Sequence, residues 1–219
     1  MSKLFGNIHL VWRKGQGHRR ISIGVIKRNA TRGILFEYSE DGVKKAEQQG
    51  FSGYPGLSLD KNVHVANIPE IFSKRLLKPE RNDVKTYYDF WNISRNNMTD
   101  PLHLLAYTQG LLPTDNFEFL ADFNPVINQR FITELAGLSH YKVKSDTVNI
   151  GDRLKFKKEP DNQNDKYAVA IFHKQKIGYI KIIHSRIFYK SLNKIPLIKV
   201  YHTEGGEYIN KLFCSVELQ

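Results

Sequence analysis

The 219-residue chain has a single cysteine, Cys214. With no second thiol there is no intrachain disulfide, and a zinc site built from several cysteines is excluded, which fits a reducing interior. Long apolar runs are missing too. No stretch approaches the ~20 apolar residues that a membrane span requires, and the opening MSKLFGNIHLVW lacks the apolar core of a signal peptide. The expectation is a soluble, cytoplasmic protein with no membrane partner. Acidic residues are in short supply, 22 against 33 lysines and arginines, for a formal net charge of +11 and a pI of about 9.6. The excess is divided almost evenly, +6 in residues 1–115 and +5 in residues 116–219, so neither half is a basic tail. With aromatics at 12%, that charge points towards a polyanionic partner, nucleic acid above all.

Catalytic equipment is also lacking. The chain has neither Gly-x-Gly-x-x-Gly nor Gly-Lys-Ser/Thr for cradling phosphates, and no His-Arg-Asp. Its eight histidines are scattered without an i, i+4 pair. Pro160-Asp161 opens like a metal-dependent nuclease motif, but no acid-x-Lys follows at a suitable strand position. Asp161, Gln163 and Asp165 have the spacing of early calcium-loop ligands, yet Lys166 and Phe172 stand where a glycine and a glutamate are needed. No enzyme, no metal and no cofactor is expected.

Read from the start, Phe5–Arg13 and Arg19–Lys27 alternate as strands joined by the loop KGQGH, and Gly33–Tyr38 supplies a third strand. Residues 39–50 read as a short helix, with Ser39 as N-cap and Gly50 as its stop. Ile68–Leu77, Val84–Ile93 and Thr99–Gly110 have helical spacing, Pro69 and Pro101 suiting first turns. Pro113-Thr114-Asp115-Asn116 is a turn signal, which places a domain boundary between Gly110 and Asn128; the division expected is a first domain over residues 1–112, a linker over 113–127 and a second domain over 128–219. The fold class expected is α+β: a small sheet with helices, then a second domain of strands with a helix.

The most informative stretch is KKEPDNQNDKYAVAIFHKQKIGYI, residues 157–180. Before and into it, RLKFKK puts Leu154 and Phe156 on one face and Arg153, Lys155 and Lys157 on the other. Pro160 stops the ladder, and Asp161, Asn162, Asn164 and Asp165 form a polar turn whose side chains can bond their own backbone. AVAIF is a buried strand, and Gly178 marks a bulge or a close backbone approach. Ile180–Leu192 then reads as a basic amphipathic helix, and Pro196–His202 and Lys211–Leu218 as closing strands.

Gly151-Asp152-Arg153-Leu154, Glu159-Pro160, Asn164-Asp165-Lys166-Tyr167-Ala168-Val169 and Gly178-Tyr179-Ile180, in that order, resemble the HIRAN domain. Ala136-Gly137-Leu138-Ser139-His140-Tyr141 looks like that family's first strand. The resemblance covers roughly residues 128–218 and implies a barrel of the oligonucleotide-binding type. In the helicase-like transcription factor branch it implies capture of a single-stranded DNA 3′ end. Placed by that resemblance, His140 and Tyr141 fall on an aromatic pair and Asp165 on the acid that meets the terminal sugar. Two positions depart from it: Asn164 replaces an aromatic residue, and Ser139 a phosphate-binding arginine. In the first half, Gly24-Val25-Ile26, Gly33–Tyr38 and Pro55-Gly56-Leu57-Ser58-Leu59 resemble the small N-terminal domain of HipA-type proteins, which implies an interaction or regulatory domain.

Each candidate has an ordinary reading beside the functional one. His140 is a strand-end residue or a stacking face; Tyr141, Tyr167 and Tyr179 are core or stacking rings. Asp165 caps its own turn or meets a sugar hydroxyl. Arg153, Lys155, Lys157 and Lys158, with Lys142 and Lys144 nearby, form a solvated face or a phosphate track. The expected interface comprises His140, Tyr141, Lys142, Arg153, Lys155, Lys157, Asn164, Asp165, Lys166 and Tyr167. The function expected is a DNA-binding module for single strands or ends. The other reading is a regulatory subunit of a toxin–antitoxin-like or DNA-processing system, with a protein partner on the first domain.

Overall fold

In the computed structural model, residues 4–29, 31–190 and 195–219 are described. The chain divides into two compact units, Phe5–Asp122 and a second made of Leu4 with Phe123–Gln219. The first unit runs β1 (Phe5–Trp12), β2 (Ile21–Asn29), β3 (Gly33–Tyr38), α1 (Glu40–Glu47), β4 (Val63–His64), α2 (Ile68–Ser73), α3 (Val84–Phe90), α4 (Pro101–Thr108) and β5 (Phe117–Phe123). The strands form one sheet in the order β4-β3-β2-β1-β5. Part of the span expected to be a linker is thus strand β5.

Helix α1 starts where Ser39 Oγ accepts the Gly42 N–H at 3.2 Å, and it lies so close to β2 that a Cβ on Gly42 would stand 2.0 Å from the Ser22 carbonyl oxygen. Helix α4 is capped by Asp100, whose Oδ1 accepts from Leu102 N at 2.9 Å and His103 N at 3.2 Å. Helices α2 and α3 end three or four residues sooner than their periodicity suggests; past α3, Asn92 takes a left-handed φ of 57°. Phe36, Phe72 and Phe119 are fully buried in this unit. Beside them the Arg75 guanidinium makes a two-pronged contact with Asp115 at 2.6 and 2.8 Å and donates to Gly110 O at 2.8 Å, the pairing that makes a buried charge tolerable.

The second unit is a closed barrel of antiparallel strands in the order β10-β11-β6-β9-β8-β7. Its elements are β6 (Arg130–Ala136), α5 (Leu138–Tyr141), β7 (Arg153–Glu159), β8 (Ala168–Phe172), β9 (Lys176–Ile180), a 3-10 turn at His184–Tyr189, β10 (Leu197–Gly205) and β11 (Ile209–Glu217). Closure comes from the pairing of Leu154 and Arg153 on β7 with Ile198 and Lys199 on β10, which leaves this barrel no open edge. Phe131, Val169, Ile171, Ile198, Val216 and Leu212 are buried in this unit. Phe188, from the 3-10 turn, is fully buried with its ring 4.9 Å from that of Phe156, a burial that contributes about 1.5–3 kcal/mol. The fold is α+β, as the residues led us to expect, and its closed barrel agrees with the OB-like barrel that the resemblance implies.

Two local expectations change. The first strand of the barrel does not run through to Tyr141: Gly137 takes a left-handed φ of 81° and ends the ladder, and Leu138–Tyr141 forms one helical turn closed by Lys142 at φ 46°. The helix expected over Ile180–Leu192 is instead the short 3-10 turn, because Ile183 at φ 70° interrupts any continuous helix; Ser191 and Leu192 lie outside the described residues. The barrel is tied off by one segment. Asn124 N and Gln129 Nε2 both donate to Leu4 O, at 2.9 and 3.0 Å, while Asn128 N donates to Leu218 O at 2.7 Å.

Candidate nucleic-acid interface

Strand β7 forms the floor. Its two-residue period buries Leu154 and leaves Arg153, Lys155 and Lys157 exposed on the outer face of the barrel. Among the described residues none of these three cations has a carboxylate within ion-pairing distance. Lys158, whose parity would turn it inwards, is exposed as well, and its Nζ lies 5.3 Å from the centre of the Tyr189 ring. A row of uncompensated cations repels itself and attracts polyanions.

The turn after β7 is built by its own side chains. Asn162 Oδ1 accepts the N–H groups of Asn164 at 2.9 Å and Asp165 at 3.3 Å. Asp165 Oδ1 then accepts Tyr167 N at 2.9 Å, and Asp165 O accepts Ala168 N, also at 2.9 Å. These nested turns hold Asn164, Asp165, Lys166 and Tyr167 in one short, ordered segment that leads straight into β8. Asp165 therefore caps its turn with one oxygen and is half-exposed.

Aromatic rings line both sides of this turn. On one side Tyr167, half-buried, meets Tyr189 edge-on with ring centres 5.4 Å apart. Lys166 Nζ lies 5.2 Å and the Arg186 guanidinium 5.6 Å from the Tyr167 ring centre. The Tyr189 hydroxyl donates to Ala168 O at 2.8 Å, and burial pushes its phenol pKa up. On the other side Lys176 Nζ donates to Glu159 Oε1 at 2.8 Å and to the Tyr179 hydroxyl at 2.6 Å, while that hydroxyl donates to Glu159 Oε2 at 2.9 Å. Asn162 Nδ2 also reaches Glu159, at 3.3 Å.

The Lys176 bond, with help from Tyr179 and Asn162, holds the Glu159 carboxyl below the usual range. Burial would lower the Lys176 pKa, but its bonds to Glu159 and Tyr179 outweigh that and raise it. Burial raises the Tyr179 phenol.

Tyr141, at the end of the helical turn, lies near Tyr179: a Cβ on Gly137 would stand 3.8 Å from the Tyr141 ring and 3.9 Å from the Tyr179 ring. His140 is exposed and meets Tyr141 edge-on at 5.0 Å. Lys142 is exposed beyond it, and Lys144 pairs in an isolated bridge with Tyr208, itself 40% exposed. The structure thus gathers Asn164, Asp165, Lys166 and Tyr167 in one turn and sets Tyr141 against His140. It sets Arg153, six residues before Glu159, at the far end of β7, about 20 Å away. No contact joins His140 or Lys142 to the cations of β7 among the described residues.

Residue-type reasoning passed over Lys176, Tyr189, Arg186 and Tyr208. Tyr189 lay inside an expected helix, and the Glu159 partner of Lys176 comes from another strand, 17 residues away. Among the described residues no three His, Cys, Asp or Glu side chains gather as a metal site, and no helix is long and apolar enough to cross a membrane.

The second unit is thus a closed six-stranded barrel with a basic outer strand and an aromatic-edged turn. A family model described as the HIRAN domain matches residues 128–213, from just before β6 into β11, and so confirms the resemblance drawn from the motifs of the second half. Among solved structures, the HIRAN domain of human HLTF is similar at 16% identity, covering 40% of this chain and 74% of that one with a TM-score of 0.31. No curated protein matches the chain.

Proposed function

We propose that the barrel unit binds DNA, single strands or exposed ends, along the outer face of β7 and the turn that follows it, without catalysis of its own. The observation that carries this reading is the exposed row Arg153, Lys155 and Lys157, with no carboxylate paired to any of them among the described residues. Successive members stand two strand residues apart, about 6.6 Å, a step comparable to the spacing of phosphates along an extended single strand. Such a row suits a phosphodiester backbone, and the rings of Tyr167 and Tyr189 at the turn that follows it suit unstacked bases.

Asp165, half-exposed in a fixed turn, is the group placed to meet a terminal sugar hydroxyl. With Asn164 in place of an aromatic ring, one stacking face worth ~1–3 kcal/mol per base is gone. Contact along the strand therefore outweighs capture of its end.

The test is fluorescence anisotropy on the full chain with a labelled single strand, its 3′-phosphate form and a blunt duplex, each across a salt series. The single strand is expected to bind most tightly, with log K falling by about 2 per decade of salt, as three phosphate contacts at ~0.7 each require. Replacing Arg153, Lys155 and Lys157 together by alanine should flatten that slope towards zero. Absence of binding to all three probes at low salt would overturn the reading.

A further inference from the structure

Arg153 on β7 and Lys199 on β10 are direct partners in the antiparallel register that closes the barrel. Both side chains are exposed. Like charges facing each other across a ladder destabilise it, so a fold that keeps such a pair keeps an anion-seeking spot. The pair is also held firmly. Gly151 N donates to Val200 O at 2.8 Å and Val200 N to Asp152 O at 2.9 Å, locking the start of β7 to β10 on one side of it, while Leu154 pairs with Ile198 on the other.

The nearest carboxylate in sequence is already engaged. Asp152 Oδ2 meets His173 Nε2 at 3.1 Å and accepts Asn149 N at 2.9 Å. That contact also draws the β8–β9 turn to the start of β7, so Lys174 and Arg153, each the residue after one member of the pair, lie at the same end of the barrel. Across β10 the next residue in this row is Ser215, which brings no charge to offset Lys199.

Resting on the DNA-binding reading above, we propose that Arg153, Lys199 and Lys174 form a second phosphate-binding locus. It lies at the opposite end of β7 from the Asn162–Asp165 turn and takes the phosphodiester backbone of a strand that runs the whole length of β7. The two loci stand about 20 Å apart, with Lys155 and Lys157 between them at steps of about 6.6 Å. A bound strand therefore passes over the barrel and on to β10, and its internal nucleotides, not only its end, are held.

The test compares wild type, Lys199→Ala, Lys199→Arg and a Lys155→Ala/Lys157→Ala double variant, all as the full chain, with fluorescent oligothymidylates of two lengths, a tetramer and a dodecamer. Lys199 is exposed, and circular dichroism checks that each variant keeps its barrel. For Lys199→Ala we expect several-fold weaker binding of the dodecamer, with the salt slope reduced by about 0.7. The tetramer should be unaffected, and Lys199→Arg should restore the dodecamer. If Lys199→Ala binds the dodecamer like wild type while the double variant loses it, the second locus is overturned and the DNA-binding reading stands. If wild type binds neither length at low salt, both fall together.

Discussion

The Tyr179 hydroxyl donates to Glu159 at 2.9 Å and accepts from Lys176 at 2.6 Å, closing a triangle of side chains between β9 and the end of β7. Glu159 is the point where this triangle joins the Asn162 turn. Because its bond from Lys176 depresses its pKa, the stability it contributes is present above the ordinary glutamate value of about 4.3 and is lost as pH falls through the folded-state value. Glu159→Gln should cost about 1 kcal/mol near neutrality, and the gap to wild type should close as the pH drops below about 4. Thermal melts of both proteins from neutral to acid pH measure this, and a gap that stays constant with pH would refute it.

Tyr189 combines a ring beside Tyr167 with a hydroxyl bound to Ala168 O. The two can be separated. Tyr189→Phe should lose about 1 kcal/mol of stability, the value of one hydrogen bond, and keep its affinity for single strands. Tyr189→Ala should weaken binding about 5- to 150-fold, the equivalent of ~1–3 kcal/mol of stacking. Equal affinities for the two variants would remove Tyr189 from the interface.

Gly178 faces a crowded wall. A Cβ there would stand 2.7 Å from the Ala136 carbonyl oxygen and 3.5 Å from Leu135 Cβ. Gly178→Ala should therefore destabilise the barrel by about 1–3 kcal/mol through overpacking, read as a lower midpoint in urea with an unchanged slope. An unchanged midpoint would mean that β6 can yield.

Cys214 is fully buried in β11, and burial pushes its thiol pKa up to about 12. In native buffer at mild alkaline pH it should react with a chromogenic disulfide reagent far more slowly than in denaturant. Fast native labelling would show that the barrel opens readily.

Much of this architecture can be read from local pattern because local physics decides it. RLKFKK places its cations outside by a period of two, Ser39 caps α1 through its own hydroxyl, and GILFEY is a strand from end to end. Other features could not be read that way. Gly137, Lys142 and Ile183 take left-handed backbones, and two of those three residue types give no sign of it. FEFLADF alternates like a strand, yet the turn signal of Pro113–Asn116 beside it suggests a linker. The Glu159–Lys176–Tyr179 triangle joins residues 17 and 20 positions apart; all three lie within residues 157–180, but only the pairing of the strands brings them together. Tyr179, placed among apolar neighbours, reads as core until its polar partners are seen.

The carbonyl of Leu4, which receives Asn124 and Gln129, also has a consequence for folding. Joining residue 4 to residue 124 in an unfolded chain closes a loop that contains all of β1 to β5, and the entropy of that closure grows with the logarithm of loop length. Once the five-stranded sheet has formed, Gly6 and Asp122 are neighbours; a Cβ on Gly6 would lie 3.6 Å from Asp122 O. The long loop has then shrunk to a few residues. A formed sheet thus lowers the cost of the Leu4 tie, whereas the β7–β10 pairing that closes the barrel spans residues 153–199 and carries its own, shorter loop.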